Sequence, residues 1–309
     1  MMSVSKKLPN LQDMRSLTIL RDKRKIMQRI MSFEFPSSPT SLTESLDTPC
    51  VIRILFVHGS CAGSIQFESL IHSLSHLCYK LDLSDTKEND KFEQNKINSS
   101  RSIIKLNCYL FDSLGCGESK QETYNWKDYS EYELATDLEG IFSSMTEKDN
   151  EEMKDVEIKT FIVAHSYGTS QVIKLVNSMS LSQNSSSVDG IVLLGSALGD
   201  GPCDAISDGG HILFKLPIFL LRWMQPSMTK TFVDAAYFID SEQSLKDKAT
   251  TFCNQNDMAM VKAFYRQVKW STSIDAMNVK VSFCLRKNSQ RSVKLFIRQQ
   301  KNIHFPNFR

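Results

Sequence analysis

The chain has 309 residues, 41% hydrophobic and 23% charged, with 37 Lys plus Arg against 35 Asp plus Glu and a formal net charge of +2. This composition excludes collagen-like, coiled-coil and wholly disordered chains, and so even a charge balance leaves no electrostatic footprint for a nucleic-acid partner. The length suits one large α/β domain or two small ones.

No apolar stretch reaches the roughly 18 residues that read as a membrane-spanning helix. No apolar segment follows Lys6 and Lys7 as a secretory signal requires. The eight cysteines, Cys50, Cys61, Cys78, Cys108, Cys116, Cys203, Cys253 and Cys284, form no CxxC pair. Without a secretory signal they read as reduced thiols, with neither a disulfide framework nor a metal site.

Residues 1–50 carry no strand pattern and read as a basic N-terminal extension and linker. Basic residues dominate from Lys6 to Arg29, interleaved with Leu17, Ile19, Leu20, Ile26 and Ile30. That spacing allows a basic amphipathic helix, either a mitochondrial presequence or a membrane-surface segment, against the plainer reading of a solvated extension. Asp13 and Asp22 count against a presequence. The expected location is intracellular and cytoplasmic, with mitochondrial or membrane-peripheral as the alternatives. Residues 35–48 are Ser/Pro/Thr-rich and read as the linker.

From Val51 to Val57 the chain is almost continuously apolar and rich in β-branched residues, the pattern of a strand covered on both faces. Helical spacing follows at Phe67, Leu70, Ile71 and Leu74. Residues 82–101 are polar and read as a disordered insertion. Ile103 to Phe111 is a second strand, Tyr132 to Phe142 a helix, Thr160 to Ala164 a third strand, Gln171 to Met179 a helix and Gly190 to Gly195 a fourth strand. The alternation predicts a doubly wound, mostly parallel α/β sheet over 51–285. Residues 200–270 change to helices, with a strongly apolar run from His211 to Met224 that reads as a helical lid. Val279 to Leu285 suits one more strand, and 286–309 reads as an atypical basic tail.

Three motifs sit at strand ends. Ala164-His165-Ser166-Tyr167-Gly168 follows a buried strand and opens a helix, the setting of a G-x-S-x-G nucleophile elbow with Ala164 in place of the first glycine. Such a turn lifts the Ser166 hydroxyl clear of the sheet near the positive end of the helix; the plainer reading is a serine capping that helix. His58-Gly59-Ser60-Cys61-Ala62-Gly63 is a turn of small residues able to aim backbone N–H groups at a developing oxyanion, with the amides of Ser60 and Tyr167 as the candidate hole. His58 reads as a residue that shapes this loop. Asp112-Ser113-Leu114-Gly115-Cys116-Gly117-Glu118-Ser119 reads as structural support, its aspartate binding loop amides. Gly168 meets the need for a small residue where the strand and helix backbones come close, and Gly59 reads as structural support of its turn.

HGSCAG, DSLGCGES and AHSYG, in that order at strand ends, resemble the α/β-hydrolase superfamily with its AB hydrolase-1 domain. The stretch Tyr129 to Leu138 is similar to the helix that family places before its nucleophile strand. Within the superfamily the chain most resembles the α/β-hydrolase domain-containing protein 8 subgroup, through HSYG, the lid near Leu220 to Phe238 and Tyr265 to Trp270. The resemblance implies no cofactor and no metal, and a Ser…Asp…His triad acting on esters or lipids.

Of six histidines, only His304 lies after the last candidate strand, where the family puts its base, and the chain leaves no room after it for the family's closing helix. His304 is the candidate base. Where the family places its acid, the chain reads Arg286-Lys287-Asn288-Ser289. From Ala276 to Arg309 there is no Asp or Glu, against eight basic residues. Asp200, after the fourth strand, is the candidate acid and Asp275 a weaker one. Three readings stay open. One is a serine hydrolase of carboxylic esters, with lipid acyl esters such as monoacylglycerol suggested by the apolar lid (Leu213, Phe214, Leu216, Phe219, Leu220, Trp223, Met224). Another is a catalytically impaired or truncated form acting as a binding protein. In the last, the basic tail binds anionic lipid or a partner. The expected partner is a small-molecule ester, with membrane-surface association as an addition.

Overall fold

The computed structural model describes residues 10–20, 24–35, 50–84, 103–152, 156–181, 188–195, 212–236, 240–267 and 295–298. Its strands are β1 (Asn10–Ile19), β2 (Lys25–Glu34), β3 (Cys50–Val57), β4 (Ile103–Phe111), β5 (Glu157–His165), β6 (Gly190–Leu194) and β7 (Leu295–Arg298). They form one sheet in the order β1-β2-β4-β3-β5-β6-β7. β1 pairs antiparallel with β2 and β2 antiparallel with β4. The pairs β3–β4, β3–β5, β5–β6 and β6–β7 are parallel. The helices are α1 (Glu68–Ser84), α2 (Glu131–Glu152), α3 (Tyr167–Leu181), α4 (Ile218–Ala236), α5 (Gln243–Asn254) and α6 (Met258–Tyr265). This is the doubly wound, mostly parallel sheet that the motif order implies.

Each central strand buries both faces, and its side chains sort by parity between two cores. Leu55 and Val57 of β3 join Tyr109, Phe111, Ile162 and Ala164 beneath Leu134, Leu138 and Ile141 of α2 and Val172, Ile173 and Val176 of α3. Ile54 and Phe56 point the other way, with Leu106, Cys108, Leu110 and Val163, against Phe67 just before α1 and Ile71 within it. The connections from β3 to β4, β4 to β5 and β5 to β6 contain α1, α2 and α3. β4 and β5 flank β3 on opposite sides, so the direction of winding reverses there. Crevices at such a switch point, beyond the carboxyl ends of the strands, are where open α/β sheets bind ligands.

The N-terminal expectation is corrected. Asn10–Ile19 and Lys25–Glu34 are not a solvated extension or a helix but an antiparallel strand pair, β1 with β2, added to the sheet. Two features hid it. β1 is exposed on both faces from Leu11 to Leu17, so it shows no alternation. In β2 the buried set, Ile26, Ile30, Met31 and Phe33, also includes Arg29 and Ser32, and Ile26 and Ile30 fall at helical spacing. Part of the basic charge is internal. Arg24, 6% exposed, donates to Asp137 of α2 at 2.6 Å and to the Asp128 carbonyl at 3.0 Å. Arg29 binds both oxygens of Asp13, at 2.9 and 2.7 Å, and also pairs with Glu68.

The tail expectation also changes, because β7 lies at Leu295–Arg298, within 286–309, and extends the sheet beside β6. The stretch Val279 to Leu285 lies outside the described residues. α1 runs to Ser84, into the segment read as an insertion; the rest of that segment is not described. Between β6 and β7 come a 3₁₀ turn (Ile212–Lys215) and α4, α5 and α6. Leu221 of α4 is fully buried, while Phe219 and Trp223 are 69% and 81% exposed. Among the described residues no helix is long and apolar enough to cross a membrane.

Candidate active site

β5 ends at His165 and α3 begins at Tyr167, leaving Ser166 alone in the bend with φ of 51°. A non-glycine residue in the left-handed region costs on the order of 1–3 kcal/mol and persists only where its surroundings enforce it. Here they do. The Ser166 N–H donates to the Leu194 carbonyl at the end of β6 at 2.9 Å. The Ser166 carbonyl accepts from the Thr169 amide at 3.0 Å and from its hydroxyl at 2.6 Å. Gly168 lets α3 lie against the end of β3: a Cβ there would stand 2.6 Å from the carbonyl oxygens of both Val57 and His58. A Cβ at Gly59 would stand 3.0 Å from Ser166 Cβ, so that glycine brings the loop after β3 directly against the serine.

That loop is fixed at almost every residue. Buried His58 accepts from the Ser113 N–H on Nε2 at 2.8 Å, which leaves Nδ1 to donate to the Gly59 carbonyl at 2.7 Å. Burial holds its pKa below the ordinary histidine value, so the ring is neutral, a strut between the loops after β3 and β4. Asp112, at the end of β4, accepts from the Ser64 N–H at 2.7 Å and the Glu118 N–H at 2.9 Å. Gly117, with φ of 49°, folds so closely over this carboxylate that a Cβ would lie 2.2 Å from Oδ2.

Residues of α6 and of the segment just before it reach the same loop. Cys61, with φ of 52°, has its carbonyl held by Asn256 Nδ2 at 2.6 Å. The Ser60 and Tyr265 side chains are hydrogen-bonded, and the Tyr265 ring stacks on Phe214 with centroids 4.7 Å apart. Tyr167 packs edge-on against Phe264 at 5.1 Å. Burial pushes the Tyr265 hydroxyl and the thiols of Cys61 and Cys116 up from their ordinary values, so near the serine these groups are protonated. A cavity of about 10 Å³, room for roughly one water, lies under the loop between His58, Cys61, Cys116, Tyr129 and Gln171. Gly59 and Tyr167 line it, whereas Ser166 does not.

The structure thus gathers Ser166, Tyr167, Gly168, His58, Gly59, Ser60 and Asp112 at the ends of β3, β4 and β5. His304 and Asp200, the sequence candidates for base and acid, lie outside the described residues, as do His211 and Asp275. The described histidines are engaged elsewhere. His165 Nδ1 meets the Gln66 side-chain amide, whose oxygen accepts from the Gly59 N–H at 3.4 Å. Burial, with His58 nearby, lowers the His165 pKa. His72 and His76 are exposed on α1. Among the described residues no group of three or more His, Cys, Asp or Glu could hold a metal ion.

Sequence reasoning passed over Gln66 and Asn256, and met Tyr265 only as part of a resembling stretch, without a role beside Ser60. Nothing local marks Asn256, which sits 195 positions from Cys61 and is brought to it only by the lid.

A family model described as "Serine aminopeptidase, S33" matches residues 105–279. Among solved structures, an esterase from Exiguobacterium antarcticum aligns with a TM-score of 0.54 at 11% identity, covering 92% of this chain and 90% of that one. A highly thermostable carboxyl esterase from Bacillus coagulans, in complex with glycerol, aligns with a TM-score of 0.50 at 13% identity, covering 92% and 78%. At such identities these likenesses speak for the fold alone. No curated protein matches by sequence. With more than half of its length matched by the family model, and with an α/β-hydrolase sheet that ends in a strained serine turn, the chain belongs to the serine aminopeptidase S33 family of α/β-hydrolases.

Proposed function

We propose that the protein is a serine hydrolase of carboxylic esters, with Ser166 as the nucleophile. The carrying observation is the left-handed Ser166 wedged between β5 and α3, against a loop braced from three sides. In this reading the Ser166 hydroxyl adds to the ester carbonyl carbon and passes its proton to a base. The amides of Ser60 and Tyr167 take the negative oxygen of the tetrahedral intermediate. Collapse expels the alcohol, which takes the proton back, and water then repeats the sequence on the acyl-enzyme to release the acid. His304 is the proposed base, since it follows β7 in the chain and every described histidine near Ser166 is already bonded within the loops. Asp200, which follows β6, is the proposed acid.

The proposed substrate is a lipid acyl ester such as a monoacylglycerol, taken from a lipid surface. Leu213, Phe214 and Leu216 pack on the core, but Phe219 and Trp223 stand one turn apart and exposed on α4, beside Arg222. An apolar ring and an amphipathic indole beside a cationic side chain suit a headgroup boundary. The motifs HSYG and Tyr265 to Trp270 support placing the chain with the α/β-hydrolase domain-containing protein 8 subgroup. The competing reading, a binding protein on a disabled hydrolase fold, is favoured by the lack of any Asp or Glu between Ala276 and Arg309.

Turnover of a soluble short-chain ester and of a monoacylglycerol in vesicles separates these readings. Both should fall at least about a thousandfold in Ser166→Ala and in His304→Ala. Vesicle turnover alone should fall in the Phe219→Ser, Trp223→Ser double variant. Equal turnover by wild type and Ser166→Ala excludes the enzymatic reading. Unchanged turnover in His304→Ala removes that base, and unchanged vesicle turnover in the double variant removes the surface role of α4.

A further inference from the structure

We infer that β1 is the interface of a two-fold dimer, in which the strand pairs antiparallel with β1 of a second copy and joins two sheets into one. β1 is the end strand of the sheet, ten residues long, paired on one side by β2 over its whole length. Every residue from Leu11 to Leu17 is exposed, including Leu11 at 41%, Met14 at 47% and Leu17 at 49%. A long edge strand with apolar side chains is a template for pairing, which proteins otherwise shield with bulges, prolines or covering loops. Among the described residues no bulge or proline interrupts the Asn10–Ile19 ladder, and the two charges on the strand, Asp13 and Arg15, are of opposite sign.

The sequence of the strand points to a copy of itself as the occupant. A two-fold axis through Met14 sets Leu11 opposite Leu17, Gln12 opposite Ser16, Asp13 opposite Arg15, and Met14 opposite Met14. The Leu–Leu and Met–Met pairs are apolar contacts. Asp13 and Arg15, which within the chain pair with Arg29 and Glu118, keep side-chain exposures of 34% and 52% and carry opposite charges that meet across the axis. The symmetry makes each pair occur twice except the one on the axis. Alternate residues of an edge strand turn their amides outward, so like must meet like in a symmetric pair and the register moves only in steps of two. The neighbouring registers put the axis on Asp13 or on Arg15, and so set two carboxylates or two guanidiniums face to face. Like charges therefore disfavour both neighbouring registers, and registers further out shorten the paired length. An interface built on one strand pair is small, so the dimer is concentration-dependent.

Sedimentation equilibrium on the full chain from about 1 to about 100 µM should show the mass rising from 35.2 kDa toward twice that value. Met14→Lys sets two cations together on the axis and should stay monomeric with unchanged circular dichroism and melting. Met14→Cys, oxidised with diamide, should give a covalent dimer joined through residue 14, as mapped by mass spectrometry. Leu11→Cys should not cross-link to itself, because its partner position is 17. A monomer at every concentration overturns the inference. So does a dimer indifferent to Met14→Lys, or a self cross-link through Leu11→Cys in place of Met14→Cys.

Discussion

At the scale of single residues, the site depends on atoms that are missing as much as on those present. Gly168 has no room for a methyl group, since the nearest atoms are two backbone oxygens that cannot rotate away. Gly168→Ala should therefore lower stability by about 1–3 kcal/mol, the usual range for forcing a group into a packed site, read from urea denaturation. Wild-type stability would mean that α3 does not touch the end of β3.

His58 carries a pH dependence. Its folded pKa lies below the ordinary value of 6.5 because burial disfavours the charged ring. As pH falls through about 6.5 the unfolded chain takes up a proton that the folded one refuses, so stability must fall in that direction and level off above it. His165 contributes with the same sign. The urea midpoint should drop between about pH 7.5 and pH 5.5, and His58→Asn should flatten part of that slope. A midpoint that rises on acidification would show the ring charged in the fold. Ser166, Gly59, Gly168 and Asp112 were legible because glycine and serine at strand ends carry their conformational demands in their identity. Asn256 and Tyr265 were not, because their roles exist only once the lid closes over Cys61 and Ser60.

Among the elements, β3, β4, β5 and β6 were readable from continuous apolar runs, since a strand covered on both faces needs no alternation. The hairpin β1–β2 escaped because its pattern is mixed with buried charge. Arg24 locks it to α2, with the Arg24 and Asp137 side chains only 7% and 6% exposed. Removing one partner leaves the other's charge buried, so Arg24→Ala should cost roughly 3–5 kcal/mol. The paired replacement Arg24→Met, Asp137→Leu should cost less than the single change. A neutral Arg24→Ala, by the same denaturation measurement, would return residues 10–34 to the status of an appendage. β7 escaped for a related reason: Leu295, Phe296 and Ile297 are a short apolar run among basic neighbours, and a four-residue strand is recognisable only beside β6.

On the scale of the whole molecule, the winding reversal at β3 brings the ends of β3, β4 and β5 together, the place where open α/β sheets hold their ligands and where the proposed nucleophile stands. Motif order alone conveyed that arrangement; it did not convey how firmly the lid helices hold the loop after β3. Ester hydrolysis by this protein turns on whether the hydroxyl in the bend after β5 is activated. The direct measurement is reaction of the folded full-length chain with a fluorophosphonate, followed by peptide mapping. The account predicts one phosphonyl adduct, on Ser166, lost in Ser166→Ala and in the heat-denatured protein. Folded protein that takes no label, or takes it on another residue, would contradict it.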